Sequence, residues 1–204
     1  MIIHDRKYVK PSREARVLSI LEALSLDSGL SQQELGQRSF LSGAMVNGYL
    51  REMQREGLLR FVPENSKSYR YELTEAGETA RRSMFAAYAA ELVRLYSALK
   101  GMVLDKLRGL EERGVTRLAL FGASETCEVA LSALRGSSFD IVALFDNDVK
   151  KHGALFHGQI VRPPGDLDET DCQAVVVASF GFQDEIRRQI APVAERKGLV
   201  IVCL

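Results

Sequence analysis

Apolar positions along the chain change period twice. From Ser12 to Asp27, Val17, Leu18, Ile20, Leu21 and Leu24 recur at helical spacing, which predicts a helix capped by Ser12 and broken by Gly29. The stretch Ser31–Glu34 has the serine-to-glutamate spacing of a capping box and starts a short second helix over about 31–38. A third helix runs from about Gly43 to Glu56, with Val46, Leu50 and Met53 as its apolar face and Gly57 as its stop. The period then drops to that of strands in LLRFV (58–62) and YRYELT (69–74), separated by the polar turn PENSKS.

Two short helices joined by a tight turn and followed by a hairpin predict a winged helix-turn-helix. The third helix turns Ala44, Asn47, Gly48, Arg51 and Arg55 away from its apolar face, with Ser42 at its start. Small residues let a helix approach base edges, and Asn and Arg carry forks suited to adenine and guanine. The same face also reads as merely solvated. The hairpin favours duplex binding, because Lys67 near its tip and Arg60 and Arg70 on its strands can reach phosphate. Glu52, Glu56, Glu64 and Glu72 lie close by, so modest affinity per monomer and a need for dimerisation are expected. Replacing Arg51 should weaken specific binding, whereas replacing Lys67 should weaken all sequences alike.

The segments SQQEL, GYLREMQREGLLRF and YRYELTEAG resemble the MarR-like winged-helix regulators, in which Y-x-L-T-x-x-G closes the wing. More narrowly, VNGYLREMQREGLL with NSKSYRYELTEAG resembles a winged-helix group associated with exopolysaccharide gene clusters. The resemblance spans about residues 14–100 and implies a DNA-binding regulator.

Thr74 caps a long helix beginning at Glu75, in which Phe85, Tyr88, Leu92, Leu95, Leu99, Met102, Lys106 and Leu110 alternate steps of three and four. That rhythm predicts a homodimer seam, with Lys106 as its flaw and Val103 and Leu107 marking a drift of the stripe. The alternative is a helix packed against its own domains. A two-fold pair of recognition helices would read half-sites about 34 Å apart.

Beyond Gly114 the pattern changes again. RLALFG (117–122), FDIVALF (139–145) and AVVVASF (174–180) are nearly continuous apolar runs, as in strands covered on both faces. Helices over 124–135 and 181–197, a short edge strand at 158–161 and a last strand LVIVCL complete a βαβαβ pattern, half of a Rossmann sheet. The chain therefore reads as a two-domain α/β protein: a winged helix over 1–78, a linker and dimerisation helix over 79–114, and a Rossmann-like domain over 115–204.

In the first βα turn the G-x-G-x-x-G spacing is broken: Gly122 is present, but Ser124 and Cys127 replace the later glycines. Ser124 is a good N-cap. Glu125 and Glu128 sit in the first helical turn, where they satisfy the positive end of the dipole and repel a pyrophosphate. Asp146 ends the second strand near the offset at which an acidic group meets a ribose hydroxyl. Asp146–Asp148 also reads as a turn. A ligand with displaced phosphates, or a sugar hydroxyl bonded to Glu125, fits this pattern better than NAD in its usual pose; an empty structural domain is the alternative.

Winged helix plus Rossmann domain resembles the NADH-sensing Rex repressors, and Gly122 and Asp146 are the residues that transfer. FGASETCEVALSAL, DIVALFDNDVKKHGALFHGQIVRPPGDL and AVVVASF resemble the Rossmann-like front domain of bacterial sugar acetyltransferases and polysaccharide-biosynthesis dehydratases. That resemblance covers about residues 117–190. It implies a nucleotide-sugar or related effector beside Gly122, Ala123, Ser124, Asp146 and Asn147, and hence a link to surface-polysaccharide metabolism.

Charge and composition refine this picture. The net charge is zero, but residues 1–113 carry +3 and residues 114–204 carry −3, which permits an N-terminal half that meets nucleic acid. Three scattered cysteines form no C-x-x-C, so neither a disulfide framework nor a zinc ribbon is expected. No secretory signal or membrane span is evident, and a cytoplasmic protein is expected. His152 and His157 complete no metal-ligand set. Cys127 at a helix start invites a lowered pKa, which Glu125 and Glu128 oppose. A non-enzymatic regulator with double-stranded DNA and a small-molecule effector as partners is the leading expectation; a DNA-binding module whose second half only packs against proteins competes with it.

Overall fold

The computed structural model describes residues 10–64 and 68–204. The chain divides into two compact units, one ending at Val93 and the other running Arg94–Leu204. The boundary falls inside the 79–114 segment.

In the first unit, α1 (Arg13–Leu26), α2 (Gln32–Ser39) and α3 (Gly43–Arg55) precede an antiparallel hairpin of β1 (Leu59–Pro63) and β2 (Tyr69–Leu73). The caps predicted at Ser12 and Ser31 are in place, and Ser42 supplies a third. Ser12 Oγ accepts from Ala15 N, and Ser31 and Glu34 form the reciprocal capping box. Ser42 Oγ accepts from Met45 N. Val17, Ile20, Leu21, Leu35, Val46, Leu50 and Met53 are buried in one cluster, so all three helices share one core.

The long helix α4 (Glu75–Glu111) starts at a knot around Thr74. The Thr74 hydroxyl donates to Gly57 O at 2.6 Å and accepts from Gly77 N at 3.0 Å. A Cβ on Gly77 would lie 1.9 Å from Leu58 O, so only glycine lets the helix start this close to the hairpin. This is the physical content of the T-x-x-G spacing.

In the second unit, β3 (Arg117–Phe121), β4 (Asp140–Phe145), β5 (Leu155–Phe156), β6 (Gln159–Arg162), β7 (Ala174–Val177) and β8 (Val200–Cys203) form one sheet in the order β5-β6-β4-β3-β7-β8. All pairings are parallel except β5 with β6. The strand expected at the edge, β6, lies one place inside it, because the two-residue β5 folds back upon it. Helices α5 (Glu125–Leu134) and α6 (Gln183–Lys197) follow β3 and β7.

Alternate residues of β3 point to opposite faces. Leu118 and Leu120 pack with Cys127 and Ala130 of α5 and with Val103, Leu107 and Leu110 of α4. Ala119 and Phe121 pack on the other face with Ile186 and Ile190 of α6. The drift of the heptad stripe therefore has a cause: Val103, Leu107 and Leu110 are core residues of the sheet domain. Lys106 stands beside them, and its ammonium donates to Cys203 O at 3.0 Å.

Candidate nucleic-acid interface and first βα turn of the sheet domain

The outer face of α3 is solvent-facing. Ser42, Ala44, Gly48, Arg51 and Arg55 are exposed and Asn47 is half-buried, while Val46, Leu50 and Met53 fill the core behind them. A Cβ placed on Gly48 would meet nothing within 4 Å. No internal contact therefore requires glycine here, although a mid-helix glycine costs about 1 kcal/mol relative to alanine. Gly36 of α2 differs: a Cβ there would lie 2.7 Å from Leu41 O.

Carboxylates near α3 are drawn off its outer face. Arg13 of α1 binds Glu52 at 2.7 Å and lies 3.8 Å from Glu56. The hydrogen bond with Glu52 holds the Arg13 pKa above its ordinary value. Among the described residues Arg51 forms no ion pair; its Nε donates to Asn47 Oδ1 at 3.3 Å. Sequence reasoning missed Arg13, because nothing in the pattern of α1 marks a residue that reaches α3.

The hairpin is less basic than its arginines suggest. Arg60 pairs with Glu72 at 2.9 Å, and Arg70 lies 3.8 Å from both Glu64 and Glu72. Arg70 remains exposed. Lys67 lies outside the described residues.

In the second unit, the loops that follow β3, β4 and β7 meet at the carboxyl ends of these strands. The parallel strands progress outward from β3 in both directions, so β3 and β7 flank a topological switch point. Gly122 has φ +104°, and a Cβ on it would lie 3.2 Å from Ala178 O and 3.3 Å from Ser179 Cβ. Here glycine is required twice, by conformation and by space.

The polar residues expected around Gly122 do gather there, but with protein partners. Asp146 is 7% exposed. Its Oδ2 accepts from Ala123 N at 2.7 Å and lies 3.0 Å from Lys151 Nζ; its Oδ1 accepts from Asp148 N at 2.8 Å. Lys151 Nζ also donates to Ala123 O at 2.8 Å. Asp146 and Lys151 thus clamp the first βα turn from two sides. Asn147 and Gln189 of α6 exchange two amide hydrogen bonds of 3.0 and 2.9 Å.

Ser124 occupies the N-cap position of α5, yet its side chain makes no capping bond. Its hydroxyl donates instead to Ala178 O at 2.9 Å, tying the β3 and β7 loops together. This corrects the expected capping role. Glu125 and Glu128 are exposed. Cys127 is fully buried, and burial pushes its thiol up to about 12, the reverse of an activated cysteine. Lys151 and Gln189 were not visible in the sequence, since neither lies at a spacing that advertises a partner.

His152 Nε2 contacts Asp146 O at 2.8 Å, and His157 Nε2 lies 3.6 Å from Glu128. Among the described residues no group of three or more His, Cys, Asp or Glu could hold a metal ion. Among the same residues no helix is long and apolar enough to cross a membrane.

Comparison with known proteins addresses both units. Residues 13–60 match the family model described as winged helix-turn-helix DNA-binding. The first unit is a winged helix-turn-helix domain. Residues 114–198 match the model described as C2185-like, N-terminal. No curated protein matches the chain.

Among solved structures, the PcaV transcriptional regulator of Streptomyces coelicolor with its natural ligand aligns at 21% identity, over 50% of this chain and 76% of that one, with a TM-score of 0.39. A MarR family transcription regulator, SP03579, aligns at 28% identity over 48% and 66% of the two chains, with a TM-score of 0.37. UDP-D-quinovosamine 4-dehydrogenase of Vibrio fischeri aligns at 19% identity over 44% and 78%, with a TM-score of 0.38.

Proposed function

We propose that the protein is a transcriptional regulator that docks α3 of its winged helix-turn-helix domain in the major groove of double-stranded DNA. The observation that carries this reading is the outer face of α3, where Ser42, Ala44, Asn47, Gly48, Arg51 and Arg55 form a polar surface with a glycine that no internal contact explains. Arg70, and Lys67 at the wing, supply phosphate contacts. The protein acts in the cytoplasm as a homodimer through α4. Apolar residues stay exposed there before the helix reaches the sheet core: Phe85 at 42%, Val93 at 63% and Leu95 at 54%. Selection of duplexes by the full chain from a random pool tests the reading. Enrichment of an inverted repeat with half-sites about one helical turn apart is expected; an unenriched pool refutes it.

The second domain senses an effector of the nucleotide-sugar class, which links the regulator to surface-polysaccharide metabolism. The approach route passes the Gly122–Ala123 turn at the switch point, whose amides are already bonded to Phe145 O and Asp146 Oδ2, and leads to Ser124 and to Glu125, which is open to sugar hydroxyls. NAD(H) is the alternative ligand. A regulatory ligand must bind two states of the chain with different affinity. Thermal-shift measurements with nucleotide-sugars, NADH and NAD test this, because a ligand of the folded state raises stability by mass action. A second reading, a domain that serves only as a protein-binding scaffold, is favoured by the internal partners of Asp146, Asn147 and Ser124. No stabilisation by any of these ligands decides for it. Catalysis is no part of the proposal.

A further inference from the structure

We infer that Asn47 is a positioning residue for Arg51 and not an independent reader of bases, and that Arg51 reads guanine end-on. The inference rests on the DNA-docking reading of α3. Asn47 and Arg51 stand one turn apart on the outer face, and Arg51 Nε donates to Asn47 Oδ1 at 3.3 Å. The bond has two chemical consequences.

Asn47 first has its side-chain acceptor engaged along the helix. Bidentate recognition of adenine needs that acceptor for the N6 amino group as well as the amide donor for N7. Arg51 holds one of the two lone pairs of Oδ1, so an adenine N6 group would have to share that oxygen with the guanidinium. Arg51 in turn loses its Nε–H, but it keeps the two terminal nitrogens. These form a fork of the width that matches guanine O6 and N7 in the major groove.

The surroundings leave that fork available. Glu52, the adjacent carboxylate, is held by Arg13 at 2.7 Å. Gly48, between the two residues along the helix, adds no side chain that would hold the pair away from the groove floor. A guanidinium anchored at Nε enters the groove with fewer rotamers to lose. Asn47 therefore acts on sequence preference through Arg51.

The test uses the full chain and its selected duplex, with wild type, Asn47→Asp, Asn47→Leu, Arg51→Ala and both Asn47 variants combined with Arg51→Ala. Asn47→Asp keeps an acceptor for Nε; Asn47→Leu keeps the bulk and removes it. One G·C pair per half-site should depend on Arg51, with a preference of about 5- to 150-fold over other pairs, the range of a good bidentate contact. Asn47→Asp should retain that preference while binding all duplexes more weakly through its added charge. Asn47→Leu should reduce the preference at the same pair several-fold, and should change nothing once Arg51 is alanine. A shift of base preference at a different position in the Asn47 variants, or additive losses with Arg51→Ala, overturns the inference while DNA binding stands. Failure of the wild-type chain to select any duplex overturns both. Asn47 lies outside the core, and melting curves confirm that each variant is folded.

Discussion

Gly48→Ala separates what the fold needs from what the surface does. Glycine in a helix interior is less favourable than alanine by about 1 kcal/mol, because it loses more backbone freedom on folding. The new methyl would stand in open space, with nothing within 4 Å. The substitution should therefore stabilise the winged-helix domain by about 1 kcal/mol, a rise in melting temperature of roughly 4–8 °C for a unit of this size. The same methyl points outward on the face assigned to the groove. It should push α3 away from the base edges and weaken binding to the selected duplex by about tenfold or more, equivalent to about 1.4 kcal/mol. Gly36→Ala is the contrasting case. Its Cβ would lie 2.7 Å from the Leu41 carbonyl, so that domain should melt at a lower temperature. Calorimetry and fluorescence anisotropy on the same preparations read both quantities. Unchanged affinity in Gly48→Ala would refute close approach by this face, and a lowered melting temperature would refute the claim that the glycine is free of packing demands.

Other expectations follow from single contacts. Asp146→Ala leaves the Ala123 and Asp148 amides without their acceptor and takes from Lys151 its carboxylate partner, and should destabilise the sheet domain by about 2–3 kcal/mol in chemical denaturation. Of the three cysteines, only Cys203 should react with a thiol reagent at pH 8 in the native chain, because Cys127 and Cys172 are buried and both titrate above their ordinary value. Mass spectrometry of the labelled chain before and after unfolding checks this. The Ser31 backbone amide holds the Glu34 carboxyl below its ordinary value of 4.5. That stabilisation is present at neutral pH and is lost as pH falls through the acid range. Glu34→Gln should flatten the acid limb of the stability curve, and an unchanged limb would sink the capping-box account.

Much of the first unit was legible in the sequence. The serines at positions 12 and 31 mark helix starts that the structure places one residue later, because a capping hydroxyl must sit just outside the helix it serves. The sheet was legible from its apolar runs, since buried parallel strands need apolar residues on both faces. Long-range pairing was not. Ser124 has the right identity and position for a cap, but the carbonyl of Ala178, in the loop after β7 some fifty residues away, competes for its hydroxyl. Asp146 lies at the offset of a ribose-binding acid, and its carboxylate faces inward to Ala123 and Lys151 instead. The heptad rhythm of α4 runs into Val103, Leu107 and Leu110, whose partners are the sheet residues that follow. In each case local spacing specified the element, and a contact distant in sequence decided what its side chain does.

Hydrogen exchange of the full chain with and without a selected duplex tests the central claim most directly. The account predicts new protection concentrated over α3, residues 43–55, with weaker protection along the hairpin. Tight binding that leaves the backbone of α3 as exposed as in the free chain would contradict it.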